Sequence, residues 1–439
     1  MPSTKATSAL ADLWLRGGTV LDEQGERRAD VIVRGRDVVA VGQELDAGAG
    51  ARELDCDGCI VTPGLVDLHT HLREPGAEVA ETVESGSRAA ALGGYTAVVA
   101  MPNTTPAIDN PSVARDVLAL GRDALAEVAV AAAITVGRQG ERLTAMGELA
   151  ALGIRLFTDD GRGVQDAGLM RRALEYAGDL GIVLAQHCED EQLAAGGHMH
   201  EGAWSSRLGI PGQPAAAEEA MLARDIALVR ETGSPMHFLH LSTAGSVELV
   251  RRAKADGLRV SAEVAPHHLV LTDAAVAGYD ARFKVNPPLR TDADVAAVRQ
   301  ALVAGVIDAV ATDHAPHPHE LKQEPFDSAP FGMTGLETSL AAVHTHLCLA
   351  LDWPLLELLA AFSWHPARIA GLERQGGPIA AGAAANLCVF DPAQVWEVDP
   401  SVTASKSHNT PFGGMKFTGR VRHTIYEGAP VVLGGAAQR

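Results

Sequence analysis

Cysteine is scarce, with five residues among 439, and the number is odd. A disulfide framework of the kind that staples small extracellular folds is thereby excluded. Cys56 and Cys59 form a CxxC, but no second pair or nearby histidine completes a zinc site, so the pair reads as a turn before a strand. Cys188, Cys348 and Cys388 lie in apolar surroundings and read as small core residues rather than nucleophiles. Positive charge is also in deficit: 36 Lys and Arg against 55 Asp and Glu leave a net charge of −19. No basic footprint exists for a phosphate backbone, which argues against nucleic acid as a partner. Uninterrupted apolar runs stay well short of the roughly 18 residues that a membrane span requires. The opening MPSTKATSALADLWLRGG lacks the charged start and apolar centre of a signal peptide, so the expectation is a cytoplasmic chain without membrane contact. Low-complexity segments are absent; the first ten residues and 381–385, both biased toward small residues, read as a frayed end and a turn. What remains, 47% hydrophobic and 21% charged residues, describes a globular chain able to bury a large core.

Between Ile60 and Ala311, short apolar runs that end in polar residues alternate with helical patterns. The runs are GLVDLHTH (64–71), TAVVAM (96–101), EVAVAAAIT (127–135), IRLFTDD (154–160), IVLAQH (182–187), MHFLHL (236–241), RVSAEV (259–264) and DAVATDH (308–314). Helical stretches between them include AETVESGSRAAALGG, MRRALEYAGDLG and SVELVRRAKADG, closed by the glycine expected just past a helix end. Eight such units predict an α/β fold, a (β/α)₈ TIM barrel. The flanks differ: short alternating strands such as DVIVRGRDVVAVG, NLCVFDP and RVRHTIYEG predict a small β-domain composed from both ends. The expected division is residues 1–62 and 366–439 in that composite β-sandwich and 63–365 in the barrel.

A barrel gathers the C-terminal ends of its strands around one centre, on the face where such folds do their chemistry. Strand one ends in His69 and His71, strand two near Asn103, strand four at Asp160, strand five at His187, strand six at His240, strand seven near Glu263 and strand eight at Asp313. Alternate strand residues share a face, so His69 and His71 point the same way, as two ligands of one ion must. A lone histidine ending a strand is ordinarily just a hydrogen-bonded residue. Histidines and carboxylates converging from several strand ends have no ordinary packing explanation, because buried charges need partners or metals. A histidine-rich set without thiolates suits zinc, with manganese and cobalt also compatible. Two ions about 3.5 to 4 Å apart need a shared anionic bridge. Asp160 is the candidate and Asp159 faces away, although a twist or bulge at the strand end would exchange the two.

Five segments carry a resemblance: HTHLREPG (69–76), MPNT (101–104), FTDDG (157–161), NPPLR (286–290) and ATDHAPH (311–317). They resemble the motifs of class I dihydroorotases in the amidohydrolase superfamily, and the likeness runs through SHNTPFGG near Ser407, almost the whole chain. It implies a barrel with a composite β-sandwich, two zinc ions, and reversible conversion of N-carbamoyl-L-aspartate to L-dihydroorotate in pyrimidine synthesis. Motif by motif, it implies that His69, His71, Asp160 and Asp313 hold one zinc and that Asp160, His187 and His240 hold the second. Arg73, Asn103 and His317 would bind the substrate carboxylate, Asn286 the ring amides, and Phe331 and Gly332 the ring through their backbone, with His71 facing the substrate as well. Asp313 would shuttle the proton. An arginine fork matches a carboxylate that survives the reaction, and Arg73 lies only two residues beyond His71.

Most of the wider superfamily bridges its metals with a carboxylated lysine at the end of strand four, yet this chain has no lysine between Lys5 and Lys254. That argues against hydantoinase, dihydropyrimidinase and allantoinase and for the aspartate-bridged class. Ala265 stands where the family commonly has threonine, a minor departure. Catalytically inactive relatives that act as scaffolds for aspartate carbamoyltransferase lose metal ligands; every expected ligand is present here. Complex formation with that enzyme remains compatible with an active chain, and a homo-oligomer is expected. His198 and His200, flanked by glycine, read as solvated loop residues. His267, His268, His314, His319 and His365 read as shaping loops and the surroundings of the site. The proline-rich segment from Pro316 to Thr334 reads as an ordered loop over the substrate, either static or moving.

Overall fold

The computed structural model describes residues 12–439, so the reading of the first ten residues lies outside the described residues. The eight apolar runs become eight parallel strands: β1 (Leu65–Thr70), β2 (Tyr95–Ala100), β3 (Glu127–Val130), β4 (Leu156–Thr158), β5 (Val183–Gln186), β6 (Met236–Phe238), β7 (Val260–Val264) and β8 (Ala309–Val310). Every residue of β1 and β2 is buried, which is why these strands read as continuous apolar runs rather than as alternating patterns. Ladders join β1 to β3 in one group and β4 to β8 in another. Single parallel bridges at Ala132 with Phe157 and at Thr70 with His314 close the barrel at the two remaining seams.

Several strands are shorter than their sequence runs, and the shortening falls at the ends that carry the polar residues. His240 and Asp313 take left-handed φ values of 30° and 47°, which a ladder does not accommodate. The chain leaves the sheet there and turns these side chains toward the barrel mouth.

Connecting helices follow from local signals. Val83–Leu92 begins at a Thr82–Ser85 capping box, Asp292–Val303 at a Thr291–Asp294 capping box, and Ala167–Leu180 at an Asp166 cap. Gly181 and Gly233 close their helices with φ of 67° and 68°, the left-handed conformation that favours glycine.

The flanks build two sheets. One orders Asp37–Gly42, Asp30–Arg34, Leu13–Arg16 and Arg52–Asp55. In the other, Ile60–Pro63 pairs antiparallel with Leu387–Glu397 on one side and parallel with Thr19–Asp22 on the other, so strands from the two ends of the chain share a sheet. Leu13, Leu15, Val31, Val61, Leu387, Val389 and Ile425 form their own apolar cluster. Among the described residues, no helix is long and apolar enough to cross a membrane.

Candidate active site

At the barrel mouth, four histidines surround one carboxylate. Asp160 Oδ1 lies 3.3 Å from His69 Nε2 and 3.6 Å from both His187 Nδ1 and His240 Nε2, while Oδ2 lies 3.5 Å from His71 Nε2. Asp313 Oδ1 is 3.2 Å from His71 Nε2 and 3.6 Å from His69 Nε2. The groups His69, His71, Asp160 and Asp160, His187, His240 each bring their ligand atoms within 4.8 Å of one another, and all are buried. Asp160 is common to both. Its neighbour Asp159 points elsewhere, accepting the Thr135 backbone N–H at 3.0 Å and the Thr135 hydroxyl.

A metal fits this cluster. Buried nitrogens find hydrogen-bond partners as a rule, yet His69 Nε2 and His240 Nδ1 have none among the described residues. His187 Nδ1 and His240 Nε2 stand only 3.0 Å apart in the same crowded pocket. Burial alone would raise the Asp160 carboxyl, but His69, with His187 and His240, holds it well below the usual carboxylate range. Asp313 is likewise depressed against burial, chiefly by His71 and His69.

The opposite ring nitrogens are held from behind. His69 Nδ1 meets Glu263 Oε1 at 3.0 Å, and Glu263 Oε2 meets His237 Nε2 at 3.0 Å. His71 Nδ1 meets Asn103 Oδ1 at 2.9 Å, and His187 Nε2 lies 3.5 Å from Glu189 Oε2. An acceptor on one ring nitrogen fixes the proton there and leaves the other nitrogen's lone pair for a metal. Glu263 reads from the sequence only as a polar strand end, and Glu189 and His237 lie outside the five motif segments. Glu189 follows His187 at the same two-residue interval that separates His69 from His71, a signal that could have found it.

Above the cluster is a cavity of about 200 Å³ lined by every residue expected to contact substrate: His71, Arg73, Asn103, Asn286, His317, Phe331 and Gly332, together with Asp160, His187, His240 and Asp313. Arg73, with φ of 62°, donates from Nε to Pro316 O at 3.2 Å, and its terminal nitrogen lies 3.3 Å from His317 Nε2; neither contact is a carboxylate. Burial lowers its guanidinium to about 10, although Asp313 and Asp160 oppose that shift. Burial, with Arg73 alongside, pushes the His317 imidazole down to about 3, so the ring is neutral. Its Nε2 lies 2.7 Å from Phe331 O. Gly332 uses both of its backbone groups within the protein, donating to Lys284 O at 2.9 Å and accepting from Lys322 Nζ at 3.0 Å and Asn409 Nδ2 at 3.1 Å. A second cavity of about 190 Å³, lined by Glu337 and Arg420 between the barrel and the C-terminal strands, lies away from all of these groups. Chemistry rather than size therefore distinguishes the active site.

Some expectations need correction. His200 is not solvated: it is 8% exposed, and its Nδ1 lies 3.2 Å from Arg290. His198 is half-buried and stacks on Phe331 at 6.4 Å between ring centroids. The reason is a short parallel pairing of Met199–His200 with Gly212–Gln213, which folds the loop inward. Cys56 and Cys59 form the expected turn, with Cys59 N donating to Cys56 O at 2.9 Å, and burial pushes the Cys56 thiol up to about 12.

A family model described as dihydro-orotase-like matches residues 58–246, and one described as the amidohydrolase family matches residues 186–432. Dihydroorotase of Pelotomaculum thermopropionicum is 49% identical over 422 residues, covering 96% of this chain and 98% of that protein. Dihydroorotase of Streptomyces coelicolor is 48% identical over 426 residues, with the same coverage of each. Among solved structures, the L-hydantoinase (dihydropyrimidinase) of Arthrobacter aurescens shares the fold with a TM-score of 0.88 at 25% identity, over 98% of both chains. Identity of this order, sustained along nearly the full length of curated relatives and joined to a metal-binding cluster at the barrel mouth, means that the chain belongs to the dihydroorotase family of cyclic amide hydrolases.

Proposed function

We propose that the chain is a binuclear zinc enzyme that interconverts N-carbamoyl-L-aspartate and L-dihydroorotate, with Asp160 shared between the two ions. His69, His71, Asp160 and Asp313 would hold one ion, and Asp160, His187 and His240 the other. The observation that carries this reading is that Asp160 belongs to both close groups of buried ligand atoms, one with His69 and His71 and the other with His187 and His240. When bound, such ions supply an acidified water and polarise the carbonyl it attacks.

The remaining chemistry belongs to side chains. Asp313 accepts the proton of the attacking water during ring opening and delivers it to the leaving ring nitrogen; ring closure reverses both transfers. Arg73 offers its fork to the carboxylate that survives the reaction. Asn103 accepts from His71 Nδ1, which leaves its amide NH₂ to donate to the same carboxylate. Asn286 donates to Glu189 Oε2 at 2.6 Å, and its Oδ1, buried without a partner among the described residues, suits a ring N–H. His317, Phe331 and Gly332 complete the wall. A neutral ring lacking the carboxylate would leave the Arg73 donors unmatched, which disfavours hydantoin-type substrates.

In this reading residues 1–62 and 366–439 make the β-sandwich and 63–365 the barrel. The enzyme works in the cytoplasm as a homo-oligomer, and an assembly with aspartate carbamoyltransferase is compatible with it. The test is dihydroorotate hydrolysis with added zinc and after chelation, alongside Asp160→Ala. Zinc-dependent turnover, with loss of both metal and turnover in the variant, is expected. An Asp160→Ala protein that keeps two tightly bound ions and normal turnover would refute the bridge.

A further inference from the structure

The loop from Pro316 to Thr334 walls one side of the active-site cavity, and both of its ends are tied to a residue that arrives from the C-terminal flank. Asn409 is 4% exposed and does not line the cavity. Its Oδ1 accepts from His317 N at 3.2 Å, its Nδ2 donates to Ala315 O and Gly332 O at 3.1 Å each, and its own carbonyl accepts from Thr334 N at 3.3 Å. Two amide hydrogens meet two carbonyls and the amide oxygen meets a donor, so only one orientation of the side chain satisfies every group. The segment before it is anchored in turn: the Ser405 hydroxyl and Lys406 N reach Glu81, and Ser407 Oγ donates to Ala80 O at 2.7 Å.

The fit at this wall is tight. Gly332 has φ of 139°, and a Cβ there would come within 2.9 Å of His317 Nε2 and of Ala315 O. Lys322, 4% exposed, meets the carbonyls of Lys284, Pro330 and Gly332 at 3.3, 2.9 and 3.0 Å, three acceptors for one ammonium group. The loop is therefore held from within by Lys322 and clamped across its ends by Asn409.

We propose that Asn409 is a positioning residue for substrate: it sets His317 and the Phe331–Gly332 segment where they meet the substrate, without touching the substrate itself. The proposal rests on the reading of His317 as a partner of the substrate carboxylate, its neutral ring donating from the Nε2–H that also meets Phe331 O. That carboxylate persists from substrate through transition state to product, so contacts to it act about equally at each stage. Weakening them raises KM and leaves kcat largely alone.

The experiment uses Asn409→Asp, isosteric but presenting an acceptor to two carbonyl oxygens, with His317→Ala measured beside it on the full-length, metal-loaded enzyme. The expected result is a KM for N-carbamoyl-L-aspartate raised about tenfold, as for loss of a charge-assisted hydrogen bond. Metal content should match the parent, kcat should change by no more than about twofold, and His317→Ala should raise KM in the same way. If His317→Ala raises KM and Asn409→Asp does not, the proposal fails while the reading of His317 stands. Silence in both variants removes His317 from the site and the proposal with it. A fall in kcat or metal content at unchanged KM also overturns it. Should Asn409→Asp not fold, hydrogen exchange on the parent decides: the His317 and Thr334 amides should exchange as slowly as barrel amides, and exchange at open-loop rates sinks the idea.

Discussion

Glu263 shows how much one buried side chain can organise. It is fully buried, and burial would raise its carboxyl, but hydrogen bonds with His237 and His69 hold it down at about 2. It is ionised throughout the working range, fixing the Nδ1 proton of His69 and turning Nε2 toward the metal cluster. Glu263→Gln should therefore weaken metal affinity roughly 10- to 100-fold, the usual cost of losing such an outer partner, as read by competition with a chelator. An unchanged affinity would leave Glu263 a purely structural group. Arg73 lines the cavity beside the cluster. Arg73→Lys replaces a planar fork with a point charge, and KM should rise about tenfold, on the scale of a charge-assisted hydrogen bond; unchanged KM and kcat would take Arg73 out of the site. Most of these residues were legible because they stand at strand ends inside long motifs. Glu189 and His237 were not, and Asn409, although it stands in the SHNTPFGG segment, carries no sequence sign of its contacts. A histidine inside a strand looks like any half-polar core position, and Asn409 reaches the mouth only after the chain has closed on itself.

At the level of elements, the barrel strands were legible because parallel strands buried on both faces read as apolar runs, and the helices because their caps are local signals. Thr291 caps Asp292–Val303 by accepting from Asp294 N at 3.2 Å, well apart from the cavity. Thr291→Ala should cost about 1 kcal/mol in urea unfolding with no change in kcat/KM; a change in turnover instead would tie this helix to the site. The segment carrying Asn409 has its own anchor, because Glu337 accepts from Ala404 N at 2.9 Å. Burial pushes the Glu337 carboxyl from 4.5 to about 7, outweighing those backbone hydrogen bonds. Between these values the folded chain retains a proton that the unfolded chain has released. The stability it contributes is thus full below pH 4.5 and is lost as pH rises to about 7. Glu337→Gln, which stays neutral, should gain on the parent across that window in urea midpoints and hold a constant lead above it. A pH-independent difference would show that Glu337 titrates normally.

On the scale of the whole molecule, the sequence indicated a two-ended β-domain but not its strand order, since pairing partners from opposite ends leave no local pattern. Ile60–Pro63 lies between Thr19–Asp22 and Leu387–Glu397, and β1 starts two residues later. During synthesis on the ribosome, that strand is made early while its antiparallel neighbour emerges more than 300 residues later. At roughly 5 to 20 residues per second, the wait is on the order of half a minute. For that interval Ile60 and Val61 sit on an open apolar edge beside the first barrel strand, the kind of edge that other chains readily join. The same pairing that binds the two ends of the mature enzyme gives the nascent chain a long vulnerable period.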